Sequence, residues 1–151
     1  MKKDFHRDED LRENVRVGIV VLTQKEVLLI KRFKNNRHYW VFPGGHKRKN
    51  EQLVETAIRE LKEETNLDAK KEDLEKILAY FSAYSQIKEV FYLLKKEKPS
   101  PIKIIGEEKE RNTVVNSYRL VWYPLEKIGQ IKDLLYPEEV RNWLIHHLKL
   151  S

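Results

Sequence analysis

Hydrophobic residues in the first part of the chain fall into short β-rich runs. VRVGIVVLT, at residues 15–23, and EVLLIKRF, at residues 26–33, are rich in β-branched residues and bounded by polar ones, which is typical of strands. The short polar turn at Gln24 and Lys25 predicts that these two strands pair with each other. A polar stretch then leads to YWVFPGG, which predicts a short aromatic strand that stops at its Pro-Gly-Gly sequence.

The pattern changes to helical periodicity at residues 51–65. Val54, Ala57, Ile58 and Leu61 recur three or four residues apart, so they form one apolar helix face. The opposite face of this helix is polar. The helix is therefore expected to pack on a sheet through its apolar side.

The second half of the chain predicts three strands and a helix. KILAYFSAYSQIKEVFYLLKKEK predicts two long strands around a turn near Ser85 and Gln86, and SYRLVWYPL predicts another. Between them, the irregular stretch KPSPIKIIGEEKERNTVVN predicts an unusually long surface loop, and such loops are often functional. The closing PEEVRNWLIHHLKL has an apolar helical stripe, and Pro137 suits the first turn of that helix.

The element order β-β-β-α-β-β-loop-β-α predicts an α/β or α+β sandwich, in which helices pack on a mixed sheet. No internal repeat, low-complexity tract or second-domain boundary interrupts the 151 residues. A single domain over residues 1–151 is therefore expected. Residues 1–13 are highly charged and are expected to be poorly ordered or peripheral to it.

Composition narrows the function classes. The net charge is +6, which favours anionic partners, but lysines alternate with glutamates in KKEDLEK and KKEKPSPIK, so a solvated surface explains the charge better than a nucleic-acid patch. The absence of cysteine excludes disulfides, thiolate zinc sites and a cysteine nucleophile. The charged N-terminus does not resemble a signal peptide and no apolar run could span a membrane, so a cytoplasmic protein is expected.

The stretch RELKEETN concentrates acidic residues on the polar side of the first helix. Glu60, Glu63 and Glu64 fan out over one side, and like charges at this spacing destabilise a helix unless a cation lies among them. Hard divalent ions such as Mg²⁺ bind carboxylate oxygens and leave coordination positions for a phosphate substrate. An ordinary solvated helix face is the alternative for these three residues alone.

The residues before the helix favour a site. FPGG brings two glycines to its start, where the backbone can approach a ligand closely. Arg59 precedes the carboxylates, and Glu51 lies eight positions before Arg59, so a bidentate ion pair could tie the loop to the helix. The glycines, the ion pair and the carboxylates together predict a metal-binding site.

Residues 45–67, GHKRKNEQLVETAIRELKEETNL, resemble the Nudix box of the Nudix hydrolase superfamily. The box reads Gly, five residues, Glu, seven residues, then Arg-Glu-aliphatic-any-Glu-Glu-any-Gly-aliphatic. The chain matches it at Gly45, Glu51, Arg59, Glu60, Leu61, Glu63, Glu64 and Leu67. The flanking EVLLIKRF, YRLVWYPLEKI and LYPEEVRNWL are similar to the nucleotide-hydrolysing, MutT-like branch.

The resemblance implies a Nudix-type α/β/α sandwich with the catalytic helix packed on a mixed, curved sheet. It implies a Mg²⁺-dependent pyrophosphohydrolase, with Mn²⁺ as a possible substitute, that cleaves a nucleoside diphosphate linked to another moiety X. A nucleoside triphosphate is one such substrate, and the products are a nucleoside monophosphate plus phosphorylated X or pyrophosphate. A homodimer is common in the family.

The resemblance also implies roles for individual residues. The catalytic candidates are Glu60, Glu63 and Arg59. The metal-ligand candidates are Glu60, Glu63, Glu64, the Gly44 carbonyl and one acidic residue of the later loop, with Glu108 preferred over Glu107 and Glu110. The substrate-binding candidates are Arg32, Arg37, Trp40, Phe42 and Gly45, and the structural tether is Glu51. Core packing is the alternative for the two aromatic residues, and the choice of general base between Glu60 and Glu63 stays open.

Two positions depart from the family pattern. The box's late glycine is Asn66, and another frequent glycine before the first glutamate is Asn50. Asn tolerates the left-handed conformation that ends a helix nearly as well as glycine, so the catalytic function is expected to survive. Two other readings are a Nudix-fold binding module without turnover, which typically lacks a box carboxylate, and an RNA-end-processing hydrolase.

Overall fold

The computed structural model describes residues 12–103 and 116–150. Within these ranges the chain forms eight strands: β1 (Arg12–Leu22), β2 (Glu26–Lys34), β3 (Arg37–Val41), β4 (Gly44–Arg48), β5 (Leu74–Phe81), β6 (Lys88–Lys95), β7 (Asn116–Pro124) and β8 (Leu135–Tyr136). The two helices are α1 (Leu53–Thr65) and α2 (Glu138–Leu150). Short 3₁₀ turns cover Lys71–Asp73, Leu125–Gln130 and Lys132–Leu134.

The strands form one mixed sheet with two halves. In the first half, β1 lies between β6, to which it is parallel, and β4, to which it is antiparallel, and β5 pairs with the other side of β6. In the second half, β2 lies between β7 and β3, both antiparallel to it, and β8 adds a short parallel strand beside β3. The predicted α+β class with a mixed sheet is confirmed.

The predicted pairing of β1 with β2 is confined to the residues beside the turn. Leu22 pairs with Val27, and the Thr23 N–H donates to the Glu26 carbonyl at 2.9 Å. Farther from the turn, each strand belongs to a different half of the sheet. Residues 17–22 and 27–30 are all buried, so each strand needs neighbours along its whole length, which one hairpin cannot provide.

The two helices pack on opposite faces of the sheet. Val17, Ile19 and Val21 of β1 share a buried cluster with Ala57 and Leu61 of α1. The alternate β1 residues belong to a second cluster that includes residues of α2, because successive strand residues point to opposite faces. Burying one leucine of this kind contributes roughly 2 kcal/mol, so the apolar face of α1 holds its polar face in a fixed position.

Helix α1 begins and ends on defined backbone contacts. At its start, the Gln52 N–H donates to the Glu55 carboxylate at 2.8 Å. At its end, Asn66 has φ 65° and its N–H donates to the Lys62 carbonyl at 2.9 Å. The expected left-handed stop at Asn66 is confirmed, and Asn50 also has a positive φ of 72°.

Strand β4 is the main element that the sequence pattern did not predict. The two glycines after Pro43 were expected in a loop, but Gly44 and Gly45 begin this strand and pair with Gly18 and Val17 of β1. A Cβ atom on Gly44 would lie 2.5 Å from the Val17 carbonyl oxygen and 2.8 Å from the Gly18 Cα. The pairing therefore requires glycine at this position. Hydrophobic periodicity does not reveal such a requirement.

The predicted long loop after β6 is described only up to residue 103. Its first part passes the end of α1, where the Lys103 N–H donates to the Thr65 carbonyl at 3.1 Å. Glu107, Glu108 and Glu110 lie outside the described residues. Within the described ranges, neither helix combines the length and the apolar character required to cross a bilayer.

Candidate active site

Arg59 and Glu51 form the ion pair that joins α1 to the segment before it. The Arg59 Nε lies 2.5 Å from Glu51 Oε2, and Nη2 lies 3.0 Å from Oε1. Both carboxylate oxygens are therefore occupied by one guanidinium, the bidentate arrangement that is strongest for this pair. Both side chains are less than one-fifth exposed, so solvent screens the contact only in part.

The same guanidinium reaches two carboxylates and one strand. Its Nη1 donates to Glu60 Oε2 at 2.9 Å and lies 3.3 Å from Glu63 Oε1. Its Nη2 also donates to the His46 carbonyl of β4 at 3.0 Å. Arg59 thus fixes α1, β4 and part of the carboxylate group relative to one another.

Glu51 accepts two further hydrogen bonds at Oε1. The Arg48 N–H and the Thr56 hydroxyl each donate to it at 2.9 Å. Hydrogen bonding by Arg59, supported by these two donors and opposed by burial, lowers the pKa of Glu51 to about 2. Glu51 is therefore a fixed anion that stabilises Arg59.

Glu60 occupies the space left by the missing side chain of Gly45. A Cβ atom there would lie 2.2 Å from the Glu60 carboxyl carbon. Burial raises the pKa of Glu60, and the charge and hydrogen bond of Arg59 oppose that rise. Glu60 is thus a largely desolvated carboxylate beside a strand backbone.

Glu64 and Glu63 complete the group of carboxylates on this side of α1. The Gly44 N–H donates to Glu64 Oε1 at 2.7 Å, which places this carboxylate against the first residue of β4. Glu63 is 39% exposed, so it is the most open of the contacts around Arg59. The structure therefore brings Glu51, Arg59, Glu60, Glu63, Glu64, Gly44 and Gly45 together.

The donor set fits a hard divalent cation. Glu60, Glu63 and Glu64 offer only carboxylate oxygens, the ligand type that Mg²⁺ and Mn²⁺ bind. Among the described residues, no three acidic or histidine side chains already converge as a metal cage. In this structure Glu60 and Glu63 accept hydrogen bonds from Arg59, and Glu64 accepts one from the Gly44 N–H; the negative charge that attracts these donors would also attract a cation.

The basic substrate-binding candidates lie on the second half of the sheet. The Arg32 guanidinium lies over the Tyr118 ring, 3.8 Å from its centroid, with Tyr39 at 5.7 Å on the other neighbouring strand. Arg37 is exposed and lies 5.8 Å from the Tyr39 ring. Both cations therefore lie in an aromatic and basic area where β2 ends and β3 begins.

The two aromatic candidates pack in the core. Phe42 is 1% exposed and packs edge-on against Phe91 at 6.2 Å. Trp40 packs edge-on against Tyr123 at 5.1 Å, with Lys31 over its ring. Phe42 presents no face to a ligand, which agrees with the alternative of core packing.

Two contacts of the site were missed by reasoning from the sequence. Thr56 is fully buried and donates to Glu51, and a threonine five positions after the glutamate carries only a weak signal of this role. The His46 carbonyl that binds Arg59 is a backbone group and leaves no signal in the sequence. The second contact depends on how β4 lies beside α1.

The family model for the NUDIX domain matches residues 12–144. The chain is 35% identical over 85 residues to 8-oxo-dGTP diphosphatase of Buchnera aphidicola, which covers 56% of this chain and 68% of that enzyme. It is 49% identical over 59 residues to m7GpppN-mRNA hydrolase NUDT17 of Xenopus laevis. The latter alignment covers 35% of this chain but only 20% of that enzyme's length.

A solved structure with related architecture is the bifunctional NMN adenylyltransferase/ADP ribose pyrophosphatase of Francisella tularensis, in complex with AMP and a Mn ion. The two folds superpose with a TM-score of 0.66 over 93% of this chain and 43% of that one. Sequence identity is 21%, so this likeness bears on the fold alone. The predicted Nudix-type arrangement of a mixed sheet with helices is confirmed.

Proposed function

This chain belongs to the NUDIX domain family of hydrolases, and from that premise we propose that it is a Mg²⁺-dependent nucleotide pyrophosphohydrolase. It cleaves a nucleoside diphosphate linked to another moiety X, releasing a nucleoside monophosphate and phosphorylated X, or pyrophosphate when X is phosphate. The observation that carries the proposal is the Arg59 network, which holds Glu60 and Glu63 while Gly44 holds Glu64.

Each residue of the network has a separate task. Glu51 keeps Arg59 in place through two hydrogen bonds, and Arg59 in turn sets the positions of Glu60 and Glu63. Glu64 and at least one of Glu60 and Glu63 would supply the oxygens that hold Mg²⁺. When bound, the ion neutralises negative charge that develops on the phosphate oxygens and activates water for attack.

Proton transfer falls to one of two carboxylates. One of Glu60 and Glu63 acts instead as the base that accepts a proton from the attacking water. Arg32 and Arg37 provide positive charge for the substrate phosphates from β2 and β3. The glycines let β1 and the Glu60 carboxylate approach β4 closely, which keeps this carboxylate in place.

The similarity to named enzymes supports a nucleotide substrate. The Buchnera relative is named for 8-oxo-dGTP and the Xenopus relative for capped mRNA, and both substrates contain phosphoanhydride bonds. A binding module without turnover is the alternative. All the carboxylates of the box are present here, which favours the enzyme.

A substrate screen tests the proposal. Purified protein with Mg²⁺ is incubated with nucleoside triphosphates, ADP-ribose, dinucleoside polyphosphates and sugar nucleotides, and products are separated by chromatography. We expect release of a nucleoside monophosphate from at least one of them, abolished by EDTA. Binding without any release would favour the module without turnover and would contradict the proposed hydrolase.

A further inference from the structure

Thr56 places a fully buried hydroxyl beside the carboxylates of α1. It lies three residues before Arg59 and four residues before Glu60, and side chains at these spacings are neighbours on a helix. A hydroxyl that is removed from water needs a hydrogen-bond partner, because its bond to water is otherwise lost without replacement. The acceptor that Thr56 uses therefore indicates what this residue does.

Two acceptors lie within reach of the single hydroxyl proton. Thr56 Oγ1 is 2.9 Å from Glu51 Oε1 and 3.3 Å from the Gln52 carbonyl oxygen. The contact to the carbonyl four residues earlier is the ordinary local bond of a helical threonine. That carbonyl, however, already accepts the Thr56 backbone N–H at 3.0 Å, and a charged acceptor forms the stronger bond. The hydroxyl proton is therefore donated to Glu51.

The Glu51 carboxylate needs such donors to keep one orientation. The last torsion angle of a glutamate is broad, so hydrogen bonds decide how the plane of the carboxylate is turned. Bidentate pairing requires the carboxylate and the guanidinium to meet edge to edge. Arg59 pairs with Glu51 in this way through Nε and Nη2, and rotation of the carboxylate plane would break at least one of these contacts.

Two donors besides Arg59 fix that plane, and they come from different elements. The Arg48 N–H donates from the end of β4 and the Thr56 hydroxyl donates from α1, each to Glu51 Oε1 at 2.9 Å. Of the two, Thr56 lies on the same helix as Arg59. Without its hydroxyl, the orientation of Glu51 would follow the end of β4 instead of the helix that carries the catalytic carboxylates.

Arg59 transmits the orientation of Glu51 to these carboxylates. Its Nη1 lies 2.9 Å from Glu60 Oε2 and 3.3 Å from Glu63 Oε1. The guanidinium is a rigid planar group, so a tilt of the edge that pairs with Glu51 also moves Nη1. A change at the Thr56 hydroxyl therefore reaches Glu60 and Glu63 through two intervening side chains.

We propose that Thr56 is a positioning residue for the hydrolysis, because its hydroxyl fixes the plane of the Glu51 carboxylate and thereby, through Arg59, the placement of Glu60 and Glu63. The inference rests on the proposed function. Thr56 is fully buried and acts through other side chains. Its removal should therefore slow the chemical step without weakening the binding of substrate.

Four variants isolate the hydroxyl. Thr56→Val replaces it by a methyl group and keeps the β-branched shape, so helix propensity changes little. Thr56→Ser keeps the hydroxyl, and Thr56→Ala differs from Thr56→Ser only by lacking it, so this second pair decides the question if Thr56→Val does not fold. The matched control is Thr23→Val, which removes another buried threonine hydroxyl that donates to a glutamate, Glu26, at the turn between β1 and β2.

Steady-state kinetics with Mg²⁺ and the best substrate of the wild type give the first readout. Thr56→Val and Thr56→Ala should lower kcat about tenfold, the usual effect of losing a residue that orients a metal ligand, and leave KM within about twofold. Thr56→Ser should recover most of kcat, and Thr23→Val should resemble the wild type. Equal kcat in Thr56→Ser and Thr56→Ala, or an equal fall in Thr23→Val, would overturn the proposal.

A double-mutant cycle tests whether Thr56 acts through Glu51. In the background of Glu51→Gln, the further change Thr56→Val should alter kcat by less than about twofold, because the carboxylate that it orients is already absent. A full tenfold effect in that background would show that Thr56 acts by another route, and it would contradict the proposed role.

The Arg59 Nε–H resonance in a ¹H–¹⁵N spectrum reports on the same network without any turnover. We identify it by its absence in Arg59→Lys, and in the wild type it should exchange slowly with solvent because it is held by Glu51. The slow signal should be lost in Thr56→Val and Thr56→Ala and kept in Thr56→Ser and Thr23→Val. Its persistence in Thr56→Val would refute the positioning role alone, whereas the expected pattern in a protein that turns over no substrate would refute the proposed hydrolase alone.

Discussion

At the scale of single residues, the site depends on the contacts of Arg59. One guanidinium holds Glu51 with two hydrogen bonds and also reaches Glu60, Glu63 and the His46 carbonyl. The motif spacing predicts the pair with Glu51, because Glu51 lies just before the helix and eight positions before Arg59, where the two side chains can meet. The contact to the His46 carbonyl is set by strand pairing and could not be read from the spacing.

Glu51 should make the stability of the protein depend on acid. Its pKa is lowered to about 2 from the ordinary 4.5, so it stabilises the fold above pH 4.5 and this contribution is lost as the pH falls toward 2. Full loss is worth about 3 kcal/mol, and about 2 kcal/mol should already be missing at pH 3 relative to pH 7. Urea unfolding of wild type and Glu51→Gln at both pH values measures this.

The prediction concerns the difference in the free energy of unfolding between wild type and Glu51→Gln, because other carboxylates titrate in both proteins. The destabilisation caused by Glu51→Gln should be large at pH 7 and should shrink toward pH 3. A gap between wild type and variant that stays constant over this range would contradict the assigned ion pair. Glu75→Gln, at an exposed position of β5, is the control that should show little gap at either pH.

At the scale of elements, β4 controls how closely α1 approaches the sheet. Its first two residues are glycines that face different neighbours. A side chain on Gly44 would meet the backbone of β1, whereas one on Gly45 would meet the Glu60 carboxylate. Backbone atoms cannot move without separating the strands, but the end of a glutamate side chain can rotate away.

Alanine at these two positions should therefore separate stability from activity. Gly44→Ala is expected to reduce the free energy of unfolding by about 2 kcal/mol or more, because it overpacks the contact between β1 and β4. Gly45→Ala should cost less stability but lower kcat at least about tenfold, because it displaces Glu60 from its position. Chemical denaturation and steady-state kinetics on the same preparations measure both effects, and equal losses of stability would contradict the assigned neighbours.

At the scale of the whole molecule, the sequence predicted the elements better than their arrangement. Hydrophobic periodicity located β1, β2, β5, β6, β7 and both helices, because each buries a regular face. It could not show that β1 lies beside β6 rather than along β2, or that glycines form β4, since these depend on long-range pairing. The motif located the carboxylates, because residues at its spacing lie on one side of a single helix.

The distribution of charge shows the same limit. Along the chain, the lysines and arginines are mixed with acids, which disfavours a nucleic-acid partner. In the fold, the register of β2 with β3 and β7 brings Arg32, Lys34 and Arg37 to one face, whereas Glu26 lies at the other end of β2. Such a surface follows from strand register and cannot be recognised from the order of residues along the chain.

The most direct test of the central claim compares two glutamates by one assay. Mg²⁺-dependent release of nucleoside monophosphate, from the substrate that the wild type turns over best, is measured for wild type, Glu64→Gln and the exposed control Glu75→Gln. Glu64→Gln should keep the thermal transition of a folded protein and lose at least about a hundredfold in kcat, because it removes a carboxylate that holds the ion. Wild-type turnover in folded Glu64→Gln, or an equal loss in Glu75→Gln, would contradict the assignment of this carboxylate group as the catalytic metal site.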